Sequence, residues 1–113
     1  MREKPLNREK KMDNMGLNLG GHQYSIVVDN LENEERVKDG NILYGRHLVE
    51  HNIILINQDI EQSRKEETLI HEVLHAIYFN CGLKHEEKTI EAVSNGLFQL
   101  GVGDYLWKKA KKS

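Results

Sequence analysis

Thr68 to Asn80 reads "TLIHEVLHAIYFN", and how this stretch folds decides the rest. Apolar residues recur at Leu69, Ile70, Val73, Leu74 and Ile77, which is helical spacing. Upstream, Ser63 precedes Glu66 in the pattern of a capping box. Downstream, Gly82 supplies a C-terminal stop. The expectation is a helix from about Arg64 to Asn80, buried along its apolar stripe. It also carries His71, Glu72 and His75. Residues four apart share a helix face, so both imidazoles can reach one ion. Glu72 is rotated about 100° from His71. It is poorly placed as a ligand but well placed to take a proton from a water beside the ion.

Before this helix the pattern is extended. "HQYSIVVDN", His22–Asn30, is β-branched and aromatic in its middle and follows Gly20-Gly21, so it reads as a strand. "LENEERVKDGN", Leu31–Asn41, reads as a loop or short exposed helix. Strands near Ile42–Val49 and Asn52–Asn57 form a hairpin around Glu50–Asn52. The second holds "IILI" and should be buried on both faces.

After the "GLKHE" linker a second helix carries Ile90, Val93, Leu97 and Leu100 on its apolar face and closes at Gly101. "GDYLWKKAKK" reads as a short terminal helix with Asp104 as N-cap and Trp107 as core anchor. Three strands followed by helices indicate an α+β domain over residues 19–113. Residues 1–18 read as a flexible basic tail.

The bulk composition narrows the function. The chain has 113 residues, enough for one small core. Lys and Arg total 16 against 18 Asp and Glu, so overall charge points to no nucleic-acid partner. The basic ends "MREKPLNREKK" and "KKAKKS" read as solvated; their one alternative role is contact with nucleic acid. Cys81 is the single cysteine, so no internal disulfide is expected. No apolar run is long enough to span a bilayer, and no apolar leader opens the chain, so a cytoplasmic protein is expected.

A catalytic zinc takes three protein ligands and keeps one position open. The second helix offers the third in "EEKTIEAVSN": Glu91 is the first choice, and Glu87, one turn before it on the same face, is the fallback. Asn95, one turn beyond Glu91, can hydrogen-bond the outer nitrogen of a liganding histidine. His47, His51 and His85 read as surface histidines, and His22 has no motif around it. Spacing selects no oxyanion stabiliser among Tyr44, Arg46, His47, Tyr78 and Tyr105. It defines no substrate-binding residue and no oligomeric state.

"HEVLH" followed on a second helix by "IEAVSN" resembles the zincin metallopeptidases of the Glu-zinc type. The thermolysin-type second motif reads Asn-Glu-Ala-Ile-Ser-Asp. The resemblance puts His71, His75 and Glu91 at the zinc, Glu72 at the general base and Asn95 where that family has a ring-orienting Asp. Asn keeps the hydrogen bond and loses the charge. From about Tyr44 to Leu100 the order of elements also resembles small phage and bacterial proteins of the ImmA/IrrE-like type. Together these imply a minimal zincin fold with a small antiparallel or mixed sheet of about three strands, one Zn²⁺ per chain, a setting inside a bacterial host cell and a protein or peptide substrate. The alternative is a non-catalytic zinc-binding regulatory or protein-interaction module. Retention of Glu72 argues against it, because a structural site needs no base.

Overall fold

A computed structural model describes residues 15–31, 44–48 and 51–112. It is an α+β fold in which one mixed sheet packs against helices. The strands are β1 (Gly16–Leu19), β2 (His22–Asp29), β3 (Gly45–Leu48) and β4 (Ile53–Asn57), and the helices α1 (Gln62–Cys81), α2 (Glu87–Gln99) and α3 (Val102–Lys111). Sheet order is β1-β2-β4-β3. β1 runs antiparallel to β2, β2 parallel to β4, and β3 antiparallel to β4.

The sheet has four strands, one more than the sequence suggests. The extra strand is β1, Gly16–Leu19, which lies but for Leu19 in the stretch expected to be a tail. Its short "GLNL" carries too little β-branched character to announce itself. Pairing with β2 makes it a strand, through a turn at Gly20 and Gly21. Both have positive φ, 62° and 89°, as the tightest hairpin turns require. Met15 and Leu17 are thereby carried into the core. Residues 1–14, the 32–41 part of the expected loop, and Ile42, Leu43, Val49 and Glu50 of the expected hairpin lie outside the described residues.

Strand alternation sorts side chains to two faces. Tyr24 and Ile26 of β2 and Ile54 and Ile56 of β4 point to the helices and are fully buried. Ile53 and Leu55 on the other face are half-buried, so burial of "IILI" is complete on one side only. α1 packs on β3 and β4, α3 reaches β1, and α2 lies against α1 and α3. From α1, Leu69, Ile70, Val73 and Ala76 are buried, the first, third and fourth within the central cluster. Leu74 is half-buried and Ile77 exposed, so the buried stripe is rotated toward Ala76. On α2, Ile90 and Ser94 are buried while Val93 is exposed, as is Leu100 at the C-cap. Trp107 packs against the core, as expected, with Ala110 fully buried beside it.

Two helix starts differ from expectation. α1 begins at Gln62 with Glu61 as N-cap, and Ser63 makes no cap bond. Instead Gln62 donates to the Glu66 carboxylate at 3.2 Å, an i,i+4 pair that extends the first turn. α3 starts after Gly101, so Asp104 lies in its first turn and pairs with Lys108 at 3.1 Å. The end of α1 is as expected. Gly82, at φ 71°, lets its own N–H bond Phe79 O and that of Leu83 bond Tyr78 O, which reverses the chain.

The seating of α1 depends on Gly45. A Cβ there would lie 2.5 Å from Thr68 Cγ2 and 2.9 Å from Leu55 O. Backbone and a buried threonine cannot both yield. Gly45→Ala should therefore lower stability by about 1–3 kcal/mol, read as a shifted denaturant midpoint at unchanged m-value. A midpoint equal to wild type would show that α1 can lift from β3 at no cost.

Candidate metal centre

α1 carries His71, Glu72 and His75 toward the cleft, and the Gly82 reversal folds the next segment back over the histidines. As a result Glu87, the first residue of α2, meets both histidines. Its Oε1 lies 3.5 Å from His71 Nε2 and its Oε2 3.1 Å from His75 Nε2, while the two Nε2 atoms are 3.2 Å apart. His71, His75 and Glu87 thus bring three donor atoms close enough to hold one metal ion. The histidine side chains are 25% and 14% exposed and that of Glu87 is 61% exposed, so the cluster opens to solvent on the Glu87 side.

The cluster sits in an open cleft of about 860 Å³. Tyr44 to His47 of the β3 segment form one wall, Thr68, His71, Glu72 and His75 the floor, and His85, Glu87, Glu91, Ser94 and Asn95 the opposite wall. Glu72 is buried against β3, with its Cγ 3.5 Å from where a Gly45 Cβ would stand. Glu91 and Asn95 line the cleft beside the cluster. The carboxylate that approaches both histidines is that of Glu87, the fallback. Helical spacing puts Glu87 and Glu91 on one face and cannot rank them. The reversal at Gly82 decides which is nearer.

Two of the histidines expected at the surface line the cleft: His85 is exposed, as expected, while His47 departs from the surface position that the sequence suggests. His85 places its Nδ1 2.9 Å from Nδ1 of His75. His47 is half-buried between Tyr24 and Phe79, at ring separations of 5.5 and 6.4 Å. Its Nε2 is buried and has no hydrogen-bond partner among the described residues. Strand parity is the signal that finds it: His47 stands two residues from Gly45, on the face that meets α1. His51 is exposed, as expected, and His22 is exposed too.

Burial, with smaller contributions from His75 and His85, holds the His47 pKa below its ordinary 6.5. His75 is also lowered, first by burial and then by His71 and His85, against an opposing pull from Glu87. Both rings are therefore held toward the neutral form, the one that can ligate. The chain matches no family model, no curated protein and no solved structure. Among the described residues no helix is long and apolar enough to cross a membrane.

These lowered values fix a sign. Near pH 6.5 the unfolded chain takes up protons that folded His47 and His75 resist, so stability rises with pH there. It is full above that range and lost as pH falls toward the folded values. Metal-free protein should show a lower denaturant midpoint at about pH 5.5 than at about 7.5, and His47→Gln should narrow that gap. An unchanged gap in the variant would remove His47 from the acid response.

Proposed function

We propose that the protein is a zinc-dependent metallopeptidase. The observation that carries this reading is the spacing of the three donors. Ligands at zinc–nitrogen and zinc–oxygen distances around a tetrahedral centre stand about 3.3 Å from one another. The separations among His71, His75 and Glu87 are 3.1, 3.2 and 3.5 Å. Two imidazoles and one carboxylate are the donor set of a catalytic site with an open position, whereas structural zinc sites favour thiolates. The only cysteine, Cys81, is exposed at the end of α1 and takes no part in the cluster.

Zinc, when bound, supplies Lewis acidity that polarises a carbonyl and acidifies water. The chain's own residues supply the rest. Glu72, next to His71 and lining the cleft, takes the proton of the attacking water and passes it to the leaving amine. Its burial keeps the carboxylate in a drier setting than a surface glutamate. β3 ends the strand order and forms the cleft wall. A peptide in extended form adds to it as a further strand, with main-chain hydrogen bonds holding the scissile bond over the cluster. That geometry supports a protein or peptide substrate.

Glu72→Gln should retain one zinc per chain by native mass spectrometry and lose peptide hydrolysis by about 10²–10⁴-fold. Equal hydrolysis of a peptide library by wild type and variant would remove the enzyme and leave a non-catalytic zinc module. Glu87→Ala should weaken zinc binding more than Glu91→Ala. The reverse order would transfer the third ligand to Glu91.

A further inference from the structure

His75 engages the site through both ring nitrogens. Nε2 faces the donor cluster, and Nδ1 lies 2.9 Å from Nδ1 of His85. The two rings are within 15° of parallel and their centres are 5.1 Å apart. Nearly all of that separation is spanned by the nitrogen–nitrogen distance and the two ring radii. The rings therefore meet edge to edge in a common plane, as a directed N–H···N hydrogen bond requires, and not face to face.

A neutral imidazole has one N–H and one lone pair. The proton between the two Nδ1 atoms belongs to one ring only. Were it on His85, His75 would carry its own proton on Nε2, pointed at Glu87, with no lone pair left for an ion. With the proton on His75 Nδ1, the Nε2 lone pair faces His71 and Glu87. His85 then accepts at Nδ1 and keeps its own proton on Nε2. Only the second arrangement is compatible with a metal ligand.

We propose that His85 is a positioning residue that holds His75 in its metal-binding tautomer by accepting a hydrogen bond from His75 Nδ1–H. This deepens the metal reading above and rests on it. The same reversal at Gly82 that delivers Glu87 delivers His85 two residues earlier, so ligand and orienting group arrive on one segment. Tyr78, on the same helix as His75, flanks the His85 ring with centres 6.1 Å apart. Outer partners of liganding histidines are usually carboxylates or carbonyls. Here a second imidazole fills the role, and it accepts only while neutral.

Two measurements test it. In zinc-loaded, ¹⁵N-labelled protein, a scalar coupling should pass between Nδ1 of His75 and Nδ1 of His85 through the hydrogen bond. Competition against a chelator should show zinc affinity reduced about 10–100-fold in His85→Ala. His85→Asn, whose Oδ1 stands near the place of Nδ1 and accepts, should recover most of that loss. Absence of the coupling, wild-type affinity in His85→Ala, or an Asn variant as weak as Ala would each overturn the proposal. Wild-type protein that takes up no zinc would instead overturn the metal reading itself.

Discussion

The close approach of α1 to β3 is the constraint on which the rest of the structure depends. At Gly45 the helix comes so near the strand that a hydrogen fits and a methyl does not. That contact sets the rotation of α1 about its axis. With Thr68 and Glu72 against β3, the stripe of Leu69, Val73 and Ala76 must enter the core. His71 and His75 are left on the remaining arc, facing the segment that returns from Gly82. One packing distance thus sets both the core and the direction in which the imidazoles point.

The electrostatics of the cleft follow from the same placement. His75 is buried enough that desolvation outweighs the attraction of Glu87 on its protonation. A more exposed His75 beside the same carboxylate would lean toward imidazolium, which cannot ligate. A fully buried one would need every polar atom satisfied inside the protein. The observed position lies between these limits. Glu87, largely exposed at the N-terminus of α2, keeps its charge solvated and gains from the helix dipole there. The cluster can therefore stay open on one side without destabilising the carboxylate that completes it.

Much of this was legible in the sequence because local periodicity encodes it. The α1 span, the Gly82 stop, β2, the β3–β4 hairpin and the shared face of His71 and His75 all follow from spacings of two, three or four residues. The failures share a different cause. β1 exists because β2 offers it an edge, and "GLNL" alone has no strand signal. Ala76 replaces Ile77 in the core because the rotation of α1 is set by a glycine far back in the chain, at Gly45. Glu87 and Glu91 are equivalent on a helical wheel, and only the path of the linker separates them. His85 has the pattern of a linker residue because its partner, His75, is ten positions back across a reversal. In each case information from a distant segment decides among options that local pattern leaves equal.

The division of labour along α1 also determines how the site can be probed. His71, His75, His85 and Glu87 stand outside the central apolar cluster, on the side of α1 away from Leu69 and Val73. Changing them removes donors without opening a cavity in the central apolar cluster, so their variants disturb packing less than a core truncation does. Glu72 and His47 differ, because Glu72 is buried against β3 and His47 projects from β3, where the sheet and helix meet. Truncating either leaves space at the one contact that seats α1. Near-isosteric replacements, Gln for Glu72 and Gln for His47, keep that space filled while changing the proton chemistry. The residues nearest the proposed chemistry are thus also part of the joint that holds the fold. A loss of function there can be assigned to chemistry only when the seating of α1 is shown to survive.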